Sequence, residues 1–456
     1  MRMPRWMMLF GLFAVLAASP AFAQDEPDDD DPDAEEADEG AGGVYIDPDG
    51  VVRQREYDRG EQLQAMRERA RAAARHRHRD PSLAFVSLPA ATAEARRLFE
   101  AGKALPDELR YLGGITRIQY VLVYPEDGDL VIGGPAEPIA AGNTLQPVGK
   151  LTGRPVLHLE DLVVALRSID ADRGRALSFG CTINAPRDAV ANTNKVVGKH
   201  GSINSRAERY RLFNDVLDAI GPHKVEVFGI EPHTRVAWVC VTADYKMKRL
   251  SFGVDPEPVR GLGDSLGPGR SGGNRFWFEA SFEPLRVSPD GLAYELRGQR
   301  LVLKATYGYD DRPATRSAQA WANRVNREME QIADAMPLFA DLQNMADMLI
   351  LASLIRTDKL DQKVDWDTTW LADQNKFPVR KVTVPRTAQT ILVDRKRSFV
   401  TGGVVFSAAS VVAPRQRERA LIELPTVDEA NVATGAAWLR EPASPGASGE
   451  SSPPTE

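Results

Sequence analysis

The sequence predicts an α+β fold, in which β-hairpins and mixed or antiparallel sheets pack with amphipathic helices in two lobes. Stretches of alternating apolar residues, closed by Gly-containing turns, recur beside stretches whose apolar residues fall at helical spacing. The two kinds alternate through the body of the chain, which is the pattern of an α+β architecture. That body runs to about 400 residues, enough for more than one compact lobe.

The elements follow in order. Residues 1–23 read as a secretory signal. Arg2 and Arg5 precede an apolar stretch at 7–18 that is too short to span a bilayer, and Ala21-Phe22-Ala23 offers a small-x-small cleavage pattern before Gln24. The expected location is the periplasm, the cell envelope or the extracellular space, with no transmembrane span in the mature chain. The net charge is −7, yet 11 acids crowd into residues 25–39, so an acidic leader expected to be disordered (24–42) precedes a nearly neutral body. Its consecutive acids lack the turn glycine and ligand spacing of a calcium loop. Residues 43–82 read as a basic helical segment carrying Arg67, Arg69, Arg71, Arg75, Arg77 and Arg79 with His76 and His78. Such a segment suits an anionic envelope polymer. Residues 58–84 contain no aromatic side chain, which argues against a stacking surface for nucleic acid.

Lobe one is expected over 83–260. "RIQYVLVYPEDGDLVIGGPAE" (117–137) predicts a hairpin with Ile118, Tyr120, Leu122 and Tyr124 on one face. Its carboxylates are expected at a wet tip rather than around a metal. "DPDG" (47–50) and "SPDG" (288–291) share that turn chemistry. A helix is predicted over 156–169, a strand over 176–183 with Leu177, Phe179, Cys181 and Ile183 alternating, and a helix over 205–220. That last helix opens on a Ser205/Glu208 capping box and buries Phe213, Val216, Leu217 and Ile220. Residues 224–230 and 235–241 predict a second hairpin, whose return strand is apolar on both faces and therefore central. A Gly-rich linker (261–274) then leads to lobe two (275–412). There the sequence predicts strands around "RFWFEASFEPLRV" and "LAYELRGQRLVLKAT" and a helical stripe of Trp321, Val325, Met329, Ile332 and Met336. An amphipathic helix over 338–355 carries Asp341, Gln343, Asn344 and Asp347, and a β-rich stretch covers 376–412. A peripheral segment (413–440) and a disordered Pro/Ser-rich tail (441–456) complete the chain.

Several stretches together resemble one bacterial family, domain of unknown function 1598. They are "LPDELRYLGGITRIQYVLVYPEDGDLVIGGPAE", "GRPVLHLEDLVVALRS", "VEVFGI" with "ADYKMKRLSFGVDPEPVRGL", and "FEPLRVSPDGLAYELRGQ". The resemblance covers residues 84–310, and more weakly the helices to 356. After Pro135-Ala136-Glu137 the family leads one to expect Gly-Trp, where this chain has Pro138-Ile139. The family has no established activity, so the resemblance implies an exported protein with a shared fold and transfers no site residues.

Three constellations invite chemistry. Ser265 sits in "GDSLG" (263–267), which satisfies G-x-S-x-G, but no strand core precedes it and no His follows His233 to serve as its base. It is expected to be an ordinary serine in a mobile linker. His223, Glu226, Glu231 and His233 are zinc-type donors around the second hairpin. The two histidines read as hairpin ends facing water, and Glu226 points with Phe228 and Ile230, so they do not converge. His158 and His200 have no partner visible in sequence. Cys181 and Cys240 are both expected to face the core on neighbouring strands, where an oxidising location makes a disulfide feasible. No cofactor is implied. The reading is an exported binding or scaffold protein without catalysis; the alternative is an extracytoplasmic serine hydrolase using Ser265.

Overall fold

The computed structural model describes residues 43–46, 51–55, 83–140, 146–172, 178–200, 204–266, 274–280, 285–307, 312–391, 401–406, 412 and 417–420. The expected signal (1–23), acidic leader (24–42), basic cluster (67–79) and tail (441–456) lie outside the described residues. So do Leu177, residues 267–273 of the linker and all of the peripheral segment except 417–420.

The fold is α+β. Its strands in chain order are β1 (Gly43–Ile46), β2 (Val51–Arg55), β3 (Leu83–Ser87), β4 (Tyr120–Tyr124), β5 (Asp129–Pro135), β6 (Phe179–Asn184), β7 (His223–Phe228), β8 (Asn274–Ala280), β9 (Leu285–Val287), β10 (Ala293–Glu295), β11 (Leu301–Tyr307), β12 (Arg312–Pro313), β13 (Thr387–Ala388), β14 (Thr401–Phe406) and β15 (Arg417–Arg419). They form two mixed sheets. One has the order β1-β2-β13-β7-β6-β14-β8-β11-β12, the other β15-β9-β10-β4-β5-β3. The longer helices are α1 (Leu88–Glu100), α2 (Leu159–Asp172), α3 (Ala189–Lys199), α4 (Arg206–Ile220), α5 (Arg235–Ser251), α6 (Arg316–Arg327), α7 (Met329–Ala335) and α8 (Pro337–Thr357).

The 117–137 hairpin forms as its pattern predicts. β4 and β5 pair antiparallel with Leu122 opposite Val131, and Gly128 closes the turn at φ +64°, where a β-carbon would be strained. Glu126 and Asp127 are exposed at the tip, but the third carboxylate is not. Asp129 is buried and accepts hydrogen bonds from Ser87 Oγ at 2.6 Å and from the Leu130 amide at 2.9 Å. Ser205 and Glu208 form the expected capping box on α4. Along that helix Leu212 and Ile220 are the buried positions, whereas Phe213, Val216 and Leu217 are half-buried. The stripe of Trp321, Val325, Met329 and Ile332 is buried across α6 and α7. In the segment expected to be basic and helical, β1 and β2 pair antiparallel on either side of the 47–50 turn sequence. Within the stretch 376–412 expected to be β-rich, the described residues form the short β13 and the six-residue β14, and 376–386 is without a strand.

Three expectations are corrected. Residues 235–241 are not the return strand of a hairpin but the first turns of α5, capped by Thr234 Oγ1, which accepts from the Ala237 amide at 3.3 Å. A run apolar on both faces fits a helix buried all round as well as a central strand, and α5 packs on β6, β14, β7 and β8 while also meeting α2 and α8. The helix over 338–355 is not amphipathic. α8 is buried on all sides, and its Asp341, Gln343, Asn344 and Asp347 are shut away from solvent. It is long and apolar enough to cross a membrane, yet almost its whole length is buried against the rest of this protein. Finally, residues 261–274 do not separate two lobes. β8 and β11, which follow them, share a sheet with β6 and β7, which precede them. β9 and β10 likewise share the second sheet with β4 and β5, and one apolar core runs from Val86 to Val412.

α8 links the two sheets. Phe339 meets Phe278 of β8 with ring centroids 5.9 Å apart, and Asp347 accepts from the Ile118 amide just before β4 at 2.9 Å.

Candidate functional site

Where the chain enters β4 and leaves β5, the surface opens into a cleft of about 590 Å³. Its walls come from residues 116–120, the end of β5, the loop carrying Thr152 and Arg154, the β10–β11 connection and α7. Two glycines permit the close approaches that shape it. A β-carbon on Gly134 would lie 1.9 Å from the Arg117 carbonyl oxygen, and one on Gly149 would lie 2.4 Å from Glu137 Oε2. Glu137 is buried and accepts from the Leu151 amide at 2.7 Å, the Thr152 amide at 2.8 Å and the Thr152 hydroxyl, which pins the loop to the end of β5.

The charged side chains of the cleft are held from beneath. Arg117 and Arg300 share one carboxylate of α8: Arg117 Nε donates to Asp347 Oδ2 at 3.0 Å and Arg300 Nε to Asp347 Oδ1 at 2.7 Å. Arg300 also donates to the Ile118 and Leu296 carbonyls, at 2.7 and 3.1 Å. Arg117 Nη1 donates to Gln343 Oε1 at 2.9 Å, and Gln343 donates from its own amide to Glu330 Oε1 at 3.0 Å. On the outer wall Arg154 bridges Asp334 at 2.7 Å and Glu330 at 2.8 Å. Burial works against the charge of Glu330, but Arg117 and Arg154 hold its carboxyl below the usual range. Burial lowers Arg300 from its ordinary value, with Asp347 opposing the shift. Replacing water with such fixed partners makes a buried charge tolerable, and leaves it in one orientation.

Local pattern does not single these residues out. Arg117 and Glu137 are the two ends of the hairpin stretch whose tip carries the conspicuous carboxylates, and Asp347 and Gln343 look like the wet face of an amphipathic helix. The available signal was the cluster of Asp341, Gln343, Asn344 and Asp347 inside a mostly apolar 21-residue helix, which burial makes costly unless partners wait for them.

A second buried network lies where α2, α5 and α8 meet. Arg235, at the start of α5, donates to Asp161 of α2 at 2.5 and 3.1 Å and to Asp341 of α8 at 2.7 and 2.9 Å. Burial raises the Asp161 carboxyl to about 6 against the pull of Arg235. Burial also opposes the Arg235 charge, yet its two carboxylates raise it above its ordinary value.

The family model described as protein of unknown function (DUF1598) matches residues 181–264. That match supports membership of the DUF1598 family. No curated protein and no solved structure matches the chain. The DUF1598 segment is narrower than the resemblance over 84–310 expected from the sequence, and runs from within β6 through α3, α4, β7 and α5 to Asp264. It contributes Arg235 to the buried network and no residue to the lining of the cleft.

Most of the side chains that the sequence offers for chemistry fall inside the DUF1598 segment or at its edge, and the structure scatters them. Ser265 is not in a mobile loop: it is 1% exposed, its Oγ donates to the Ser251 carbonyl at the end of α5 at 2.7 Å, and its amide donates to the same oxygen at 2.8 Å. His223 does not face water but is buried on β7. Burial, with the charge of Lys248, depresses its imidazole to about 4. His233 is exposed, Glu231 accepts from Gln374, and the exposed Glu226 pairs with Lys224 at 2.6 Å. Among the described residues no group of three or more His, Cys, Asp or Glu side chains is placed to hold a metal ion. His158 is buried against the Tyr111 ring at 4.9 Å, and burial with three nearby arginines pushes it well below its ordinary value. His200 bonds Asp215 at 2.9 Å on the surface. Cys181 and Cys240 are both buried and unbridged, but on β6 and α5 rather than on neighbouring strands. Burial pushes the Cys240 thiol up to about 12, where a thiolate nucleophile is inaccessible at neutral pH.

Proposed function

We propose that this protein is exported to the cell envelope or periplasm and acts there by binding or scaffolding rather than by catalysis, with the 590 Å³ cleft as its recognition surface. The observation that carries the reading is the character of the cleft lining. It includes no His, Cys or Ser, and its threonine hydroxyls are committed to the Pro135 carbonyl and to Glu137. Its charged groups are fixed by ion pairs, or for Glu137 by amide and hydroxyl donors, as in a preformed binding site. Export rests on the pattern of residues 1–23. A second contact, between anionic envelope polymer and Arg67, Arg69, Arg71, Arg75, Arg77 and Arg79, rests on charge alone. The hydrolase alternative lacks support, since an alcohol needs a base in hydrogen-bond reach and the Ser265 proton goes to a carbonyl.

The test has two parts. Mass analysis of protein recovered from the envelope or periplasmic fraction should show a chain beginning at Gln24; intact Met1 overturns export. Folded protein exposed to a fluorophosphonate probe should remain unlabelled. Stoichiometric labelling of Ser265, abolished by Ser265→Ala, overturns the non-catalytic reading.

A further inference from the structure

Resting on the assignment of the cleft as the recognition surface, we propose that its ligand is an uncharged, hydroxyl-rich ring compound, a saccharide, seated between Arg117, Gln119, Tyr120, Glu295 and Asp334.

Charge narrows the choice first. The cleft is lined by four arginines (Arg117, Arg154, Arg297, Arg300) and four carboxylates (Glu137, Glu295, Glu330, Asp334), which balance. Except for Glu137, whose carboxylate is held by two backbone amides and the Thr152 hydroxyl, their pairing is local as well as net. Arg117 and Arg300 rest on Asp347, Arg154 on Asp334 and Glu330, Glu295 on Arg286 at 3.1 Å, and Arg297 on Glu418 at 2.6 Å. A ligand carboxylate brought to Arg117 would meet the Glu330 carboxylate, already 3.8 Å from that guanidinium. A ligand ammonium brought to Asp334 would meet Arg154. Either would lose its hydration with no counter-charge left to offset the loss.

What remains is hydrogen-bonding capacity without net charge. Among the described residues Arg117 Nη2 makes no hydrogen bond, although the side chain is 9% exposed and opens into the cleft. Among the described residues Glu295 and Asp334 each keep one carboxylate oxygen unpaired, since Arg286 and Arg154 occupy the other. The Gln119 side-chain amide and the Tyr120 hydroxyl also lack partners among the described residues. Donors, acceptors and groups that do both thus alternate around one cavity. A hydroxyl group donates and accepts at once, so a polyol can satisfy such a wall where a pure anion or cation cannot. The half-exposed Tyr120 ring adds an apolar plate suited to the C–H face of a sugar ring. The volume falls within the range of small-molecule clefts, about 300–1,000 Å³.

Calorimetric titration of the full chain decides it, using three neutral trisaccharides (triacetylchitotriose, maltotriose, cellotriose), cationic chitotriose, anionic trigalacturonate and zwitterionic triglycine. At least one neutral sugar should bind about tenfold more tightly than any charged probe, and Gln119→Ala and Tyr120→Ala should each weaken it about tenfold while Tyr120→Phe keeps part of the affinity. Thermal melts of the variants matching the parent would separate lost contacts from lost fold. Preferential binding of a charged probe, abolished by Gln119→Ala, overturns the assignment of an uncharged saccharide and leaves the cleft as the recognition surface. No binding by any probe, or sugar binding indifferent to all three substitutions, overturns both.

Discussion

Arg235 carries two carboxylates from two different helices on one guanidinium, so its removal strands two buried charges at once. Arg235→Ala should therefore destabilise the protein by about 3–5 kcal/mol, the usual result of breaking a buried ion pair from one side. Replacing Asp161, Arg235 and Asp341 together by apolar residues should recover most of that loss, because the desolvation of all three groups disappears with them. Urea denaturation of the single and triple variants checks both statements, and a triple variant as weak as the single one would show that the network does more than neutralise itself. His223 makes a separate prediction. Its folded value of about 4 lies below the ordinary 6.5, so the unfolded chain binds the extra proton and stability rises with pH across that window. The contribution is complete above 6.5 and is lost progressively as pH falls to about 4, with a span on the order of 3 kcal/mol. His223→Gln, which has no proton to gain there, should flatten the acid limb of a stability–pH profile by about that amount. An unchanged slope would mean that the imidazole reaches water before the fold opens.

At the scale of elements, α5 shows what could and could not be read. The capping residue Thr234 stands immediately before a stretch whose apolar residues fill every face, and periodicity alone does not separate a buried helix from a central strand. Only the continuation through residues 242–251, too long for a strand of ordinary length, distinguishes them, and its charged residues disguise it: Asp244, Lys248 and Arg249 are buried with partners. The same disguise hid the cleft, since Asp347 on α8 was legible as a polar residue but its arginines arrive from Arg117 and Arg300, far away in sequence. Local patterns were sufficient where the stabilising partner is also local: the Pro125–Asp127 turn with Gly128, the Ser205/Glu208 box, and the α6–α7 stripe. The cap also offers a measurable consequence. Thr234→Ala removes the acceptor for the Ala237 amide and should cost about 1 kcal/mol, with Thr234→Ser restoring most of it. Equal losses in both variants, read from chemical denaturation, would assign the effect to packing of the threonine methyl instead.

For the molecule as a whole, the decisive fact is that both sheets draw strands from either side of residues 261–274. A fragment covering 83–260 should then fail to fold, since it would expose β6 and β4 along the edges that β14 and β10 cover in the intact chain. Soluble expression of that fragment with dispersed amide resonances would contradict the shared core. Conversely, a nick within 267–273 should leave the two pieces associated until denaturant is added, because the contacts that join them are interior ones.

β14 gives the order of synthesis a physical meaning. It pairs antiparallel with β6 on one side and parallel with β8 on the other, so the middle of the nine-stranded sheet is filled by residues 401–406. A ribosome releases β6 long before that point, at about 5–20 residues per second. Throughout that interval the neighbours of β14 wait with unpaired backbone edges, to be guarded against wrong pairings until residues 401–406 have emerged.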